Sequence, residues 1–232
     1  MKKKIIVTGA LGYIGTELCK LYSGFSWKYE VIGIDNRFVS ERVNELKRRK
    51  IKFIQADILD LKSIKPHIKD AEFIHHLAGI TDVAYVKKEA NKAKDDLTKK
   101  VAIEGTANVL ASMNSDATII FPSTHVVFEG LKEQKENLDE NHQTSTFLAY
   151  ASSKVENEMQ IKRSGKKYAI FRLGSVYGFS TDTMRINIMP NLFSKIASQN
   201  GKIKLFGGGV QLKSLVPLID VARCFKFVEE NK

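Results

Sequence analysis

Cysteine is scarce in this chain. There are two, Cys19 and Cys224, too few for a disulfide framework, and they point to reduced thiols and a cytoplasmic setting. Long apolar runs are missing as well. No stretch approaches the ~20 residues that a membrane helix needs, so no membrane partner is expected. The apolar start "MKKKIIVTGA" is cut short by Thr8, Gly9 and Gly12, which reads as a first strand and not as a signal segment. Acidic residues are outnumbered, 26 against 37 Lys and Arg, for a formal charge of +11. The lysines are nevertheless scattered, with only short clusters such as "KRRK" at 47–50. Zinc-ligand spacing and aromatic-basic interleaving are both absent, which argues against a nucleic-acid partner and against a metal site. A solvated lysine-rich surface remains, and it also attracts phosphorylated small molecules.

What is present is the material of a globular protein. The 232 residues are 43% hydrophobic and 27% charged, enough to bury a real core in one large domain. Short β-branched runs ("KIIVTG", "YEVIGID", "KFIQAD", "EFIHHLA", "ATIIFPS", "YAIFRLG") alternate with helix-like stretches at 12–22, 40–50, 60–68, 88–113 and 147–164. That alternation predicts an α/β fold, a doubly wound parallel sheet of Rossmann type with helices on both faces. Several runs are nearly all apolar, as strands covered on both faces must be. Beyond residue 178 the pattern loosens and Gly207, Gly208 and Gly209 follow one another. We therefore expect a dinucleotide-binding domain over 1–178 and a smaller, partial substrate-side region over 179–232.

"TGALGYIG" places Gly9, Gly12 and Gly15 after a strand and at the start of a helix. Glycines there allow a tight turn and close approach of backbone to a diphosphate at the helix N-terminus. Tyr13 and Ile14 belong to the same loop-helix junction. Asp35 ends the next strand, 20 residues after Gly15, where an acid binds adenosine ribose hydroxyls and repels a 2′-phosphate. NAD is thus expected over NADP, moderately so because Arg37 is near. Asn36 adjoins that acid, Asp57 and Ile58 follow the third strand where adenine would lie, and Leu77, Ala78 and Gly79 are small enough to let a dinucleotide pass. His75 and His76 read as strand-end packing.

"YASSK" sets Tyr150 and Lys154 one helical turn apart. A free tyrosine titrates near pH ~10, too high for a base at neutral pH. An ammonium one turn away would favour the phenolate. Taken together, Gly9-x-x-Gly12-x-x-Gly15, Asp35, Asp57-Ile58, His76-Leu77-Ala78-Gly79 and Tyr150-x-x-x-Lys154 resemble the extended short-chain dehydrogenase/reductase family, the NAD-dependent epimerase/dehydratases of nucleotide sugars. The resemblance runs over essentially the whole chain.

The resemblance implies roles. In "FPSTHVVFEG", Thr124 with Ser123 beside it would hydrogen-bond the reacting sugar oxygen. Tyr150 would move the hydroxyl proton, and Lys154 would also hold the nicotinamide ribose. Asn187 in "NIMP" and Lys213 in "LKSLVPLIDVA" stand where relatives meet nucleotide and diphosphate, Lys213 replacing a usual Arg. Ser175 and Ala102 each replace a frequent Asn, and Asp220 would cap the helix that follows. His125 and Val126 occupy the places of the Asp-Glu pair that dehydratases use, which disfavours dehydration. The implied activity is NAD-dependent nucleotide-sugar epimerisation. "STHVVFEG" also resembles a segment of dTDP-4-dehydrorhamnose reductases, so a 4-keto-sugar reductase stays open, as does a dinucleotide-binding scaffold without turnover. Members are usually longer, so the sugar-closing part is expected to be cut short. The resemblance further implies a homodimer built on the helices near 88–113 and 147–164.

Overall fold

All six runs become parallel strands of one sheet: β1 (Lys3–Thr8), β2 (Tyr29–Asp35), β3 (Lys52–Gln55), β4 (Phe73–His76), β5 (Thr118–Thr124) and β6 (Lys167–Leu173). Their order across the sheet is β3-β2-β1-β4-β5-β6. The computed structural model describes residues 2–81, 91–132, 135–210 and 212–231. Register is set by pairs such as Ile5 with Val31 on one side of β1 and with Phe73 on the other. Connections between neighbours in sequence therefore run out from β1 to β3, cross back to β4, and run out again. That reversal opens a crevice at the carboxyl ends of β1 and β4, the place where such sheets bind ligands.

Alternation along β1 explains the two-sided core. Ile5 and Val7 point to one face, among Leu18, Tyr22 and Phe225, while Ile6 points to the other, among Ile64, Ile119 and Ile161. The first face is covered by α1 (Tyr13–Ser23), α2 (Ser40–Arg48) and the late helix; the second by α3 (Leu61–Ile68), α4 (Lys92–Ser112) and α5 (Ala149–Arg163). The helix expected over 88–113 is α4, and positions 88–90 lie outside the described residues.

Among the described residues two α-helix starts carry side-chain caps. Asp60 accepts from the Lys62 amide ahead of α3, and Asn91 from the Lys94 amide ahead of α4. The start of α1 has none: Gly12 stands at its N-cap and its first turn holds no acid. Like α5 and α6, α1 thus starts open and positively polarised, and it is the one of the three that follows the glycine loop.

Past β6 the chain forms a second, two-stranded sheet. β7 (Ser175–Tyr177) pairs in parallel with β8 (Leu215–Pro217), with α6 (Met189–Ser198) between them and α7 (Leu218–Glu230) after them. The pairing joins residues on either side of position 178. α7 returns to the main sheet, where Val221, Ala222 and Phe225 enter the first core. Asp220 does not cap α7. Pro217 is its N-cap, and Asp220 sits inside the first turn, paired with Arg223 at 3.3 Å.

Candidate active site

The glycine loop is shaped by contacts that no side chain would survive. Gly9 has φ +70° and a Cβ there would lie 2.8 Å from the Ala78 amide nitrogen; one on Gly15 would lie 2.2 Å from the Gly9 carbonyl. The Leu11 amide donates to Asp35 Oδ2 at 3.1 Å, so the acid at the end of β2 holds the loop directly. Asp35 also accepts from the Arg37 amide at 3.1 Å and from Arg37 Nε at 3.2 Å. Asn36 Nδ2 donates to Asp57 Oδ2 at 3.1 Å, and Asp57 Oδ1 takes the Leu59 amide at 2.9 Å. Ile58 is buried beneath Gly105 of α4, where a Cβ would meet its side chain at 2.4 Å. Leu77 packs into the first core, Ala78 into the second, and Gly79 lies open. These residues fit a dinucleotide: uncapped helix start, glycine cradle, and a carboxylate one strand over.

The second half of the site gathers at the ends of β5 and α5. Thr124 is buried, its Oγ1 accepting the Val126 amide at 3.2 Å and lying within hydrogen-bonding reach of the Tyr150 phenol. Lys154 Nζ donates to the Pro122 carbonyl at 2.7 Å and sits 4.3 Å over the Phe121 ring and 5.9 Å from the centre of the Tyr150 ring. Burial holds this ammonium down to about 8, against the nearby Glu158 carboxylate, which pulls it up. The expected depression of Tyr150 by Lys154 is not what the chain's own groups produce. Burial raises the phenol above its usual value, while the Arg185 charge and the Thr124 hydroxyl pull it the other way. The reason is physical: the ammonium is anchored on a carbonyl, and both groups are desolvated together.

The remaining candidates fall into two groups. Ser123 is buried and its hydroxyl donates to Glu158 Oε1 at 2.5 Å, so it is used up in the interior. Ser175 Oγ lies 3.4 Å from His125 Nε2, and Lys213 pairs with Glu129 at 3.3 Å, placing both beside the segment that follows Thr124. Asn187 is exposed in the turn before α6.

Several polar groups had no signal in the sequence. Glu158 forms a two-pronged pair with Arg172 of β6, at 3.0 and 2.8 Å, directly below Ser123; its only sequence trace is its place one turn after Lys154. Thr8, His76, Thr106 and Asn157 make a buried chain of hydrogen bonds at 2.9–3.0 Å from β1 to α5. Among the described residues no three His, Cys, Asp or Glu are grouped to hold a metal, and no helix is long and apolar enough to cross a membrane.

Parallel sheet, open helix start and the carboxylate that ends β2 define a fold of the Rossmann dinucleotide-binding class. Residues 5–232 match the model of the NAD dependent epimerase/dehydratase family. The chain belongs to that family, and NAD is its cofactor. A Methanocaldococcus jannaschii protein with a provisional UDP-glucose 4-epimerase name is 30% identical over 228 residues, covering 94% of this chain and 71% of the relative. A Bacillus cytotoxicus UDP-N-acetyl-alpha-D-glucosaminuronate decarboxylase is 24% identical over 239 residues, covering 99% and 69%. The fold is that of the Thermotoga maritima UDP-glucose 4-epimerase solved with UDP-glucose: TM-score 0.81 at 24% identity, over 98% of this chain and 73% of that one.

Proposed function

We propose that this protein is a nucleotide-sugar epimerase in which Tyr150 moves the hydroxyl proton. The observation that carries the reading is the meeting of Thr124, Tyr150 and Lys154 at the ends of β5 and α5, next to a loop suited to NAD. Bound NAD supplies a hydride carrier and a positive ring. Thr124 holds the sugar hydroxyl against the Tyr150 oxygen. Tyr150 takes the proton as the carbon is oxidised and returns it when the carbon is reduced. Lys154, fixed on the Pro122 carbonyl, presents its charge from below and binds the nicotinamide ribose. Ser175, Asn187 and Lys213 are the proposed contacts to sugar and nucleotide. His125 and Val126, where dehydratases carry two acids, favour inversion at carbon over loss of water.

A homodimer through α4 and α5 and a cytoplasmic location complete the proposal; the two unpaired thiols, Cys19 buried and Cys224 exposed, support a reducing compartment. The deciding test is incubation of the purified protein with a panel of nucleotide sugars, followed by NMR. Appearance of the C4 epimer without net consumption of NAD supports the reading. Turnover only with stoichiometric oxidation of NADH or NADPH would make it a reductase. Asp35→Ala should narrow the gap between NAD and NADP affinity, measured by titration of both.

A further inference from the structure

The segment that follows β7 is fastened across the mouth of the glycine loop. Arg42 of α2 donates from Nε to Asp182 Oδ2 at 2.6 Å and from Nη2 to the Asp182 carbonyl at 2.9 Å. Its third arm, Nη1, donates to the Leu11 carbonyl at 2.9 Å. Beside this, the Thr16 and Thr183 hydroxyls share a hydrogen bond at 3.0 Å, and Tyr13 Oη donates to the Gly178 carbonyl at 2.5 Å. Asn191, buried at the start of α6, takes the Gly178 amide at 3.0 Å and donates to the Arg185 carbonyl at 3.0 Å, which keeps residues 178–185 in one shape. Residues 140 to 167 positions apart are thereby joined around the glycine loop and the start of α1.

That place is the middle of the cofactor path. β1 lies between β2 and β3, which end in Asp35 and precede Asp57, and β4 and β5, which lead to Leu77–Gly79 and Thr124. A dinucleotide reaching from one set to the other must pass the point where residues 178–185 are tied down. The Leu11 peptide links the two systems, giving its N–H to Asp35 and taking the Arg42 arm on its carbonyl.

We propose that Arg42 and Asp182 form a clasp that retains NAD, by holding residues 178–185 over the glycine loop and slowing release of the dinucleotide. Neither residue touches the reacting atoms; both are positioning residues. The inference rests on NAD being the cofactor. It suits a reaction that takes a hydride from a sugar and gives it back, since such a cycle has no need to exchange cofactor. A reductase, which spends a reduced cofactor in each turnover, would be slowed by the same clasp.

The test is the release rate of NADH, followed by stopped-flow fluorescence in wild type, Arg42→Ala and Asp182→Ala, with melting temperature measured beside it. Losing the three-armed guanidinium should speed release about tenfold, the scale of one or two net hydrogen bonds. Asp182→Ala, which leaves the carbonyl contact in place, should speed it about threefold, the scale of a partly exposed ion pair. Arg42→Lys, with one donor point in place of a fork, should fall between wild type and Arg42→Ala. Equal release from wild type and both alanine variants overturns the clasp and leaves NAD binding standing. Release that rises only in step with a loss of melting temperature also overturns it. A wild type that binds no NADH overturns the cofactor assignment itself, and the clasp with it. Should Arg42→Ala fail to fold, Asp182→Ala decides, because that side chain is 47% exposed.

Discussion

His75 and His76 are neighbours on β4, both buried and both held neutral by burial, near about 3, yet they serve different surroundings. His76 faces the helices that carry the candidate catalytic residues. Both its ring nitrogens are bonded, to Thr8 and Thr106, and the chain continues to Asn157 on α5. The Lys154 charge adds to the force that keeps it neutral. His75 faces α1 and α7. Its Nε2 meets Tyr22 and Glu229 at 2.8 Å each, and Tyr22 is also bonded to Glu229. In that cluster His75 Nδ1 and Glu229 Oε2 have no partner. Burial is the main cause that lifts Glu229 to about 9, with the Lys3 charge opposing it and the Glu230 charge adding to it, so the carboxyl stays protonated at neutral pH. Equal burial of equal residues thus gives a saturated network on the functional face and an undersaturated one on the other. The partners decide the difference, since a buried polar atom without one costs about 1–3 kcal/mol.

The largest expected effect tests whether the functional face earns its name. Tyr150→Phe should cut turnover by about 10²–10⁴-fold while NAD affinity and melting temperature stay near wild type. Equal turnover of a nucleotide sugar by the variant would remove Tyr150 from the chemistry. Lys154→Ala should damage both turnover and NAD affinity, as the proposed double role of its ammonium requires.

The next effect separates the two histidines. His76→Ala should lower unfolding free energy by about 3 kcal/mol, combining a cavity with the loss of one hydrogen bond each from the Thr8 and Thr106 hydroxyls. Urea unfolding measures this. Replacing His75 and Glu229 by leucine together with Tyr22 by phenylalanine, so that no phenol loses its partners, should change stability by only ~1 kcal/mol or raise it, since an undersaturated buried cluster gains little from its polarity. A triple variant as unstable as His76→Ala would erase the contrast.

The smallest effect is a pH dependence. A carboxyl raised to about 9 in the fold contributes stability that is full below its unfolded value of 4.5 and falls as pH rises toward 9. His75 and His76 act in the opposite sense, losing stability as pH falls from 6.5 toward 3. Between pH 6.5 and 8 the Glu229 effect therefore stands nearly alone, until Lys154 starts to titrate near about 8. Glu229→Gln should gain on wild type across that window, by at most ~1.4 kcal/mol per pH unit. Parallel melting curves over the window would mean that Glu229 is already ionised in the folded protein.

Much of this was readable in advance where the reason is local. All six strands of the main sheet lie where apolar runs end in turns. The open start of α1 follows from Gly12 standing where Asp or Asn stands in α3 and α4. Tyr150 and Lys154 share a helix face because four residues make one turn, and Asp35 ends β2 as its distance from Gly15 implies. The small β7–β8 sheet and α6 were not anticipated, since three-residue strands carry no periodicity and gain their partners only on folding.

By itself, the order of residues determined the alternation of strand and helix, the cofactor loop and the one-turn spacing of tyrosine and lysine. Each depends on neighbours a few positions away, and local sterics and hydrogen bonding suffice to set it. Tertiary structure alone decided that Arg42 meets Asp182, that Glu158 takes Arg172 and Ser123, and that His76 is saturated while Glu229 is left protonated. Those outcomes depend on which side chains are brought within 3 Å across separations of 14 to 207 residues. They depend as well on how much water is excluded there, and neither quantity is written in any short stretch of the chain.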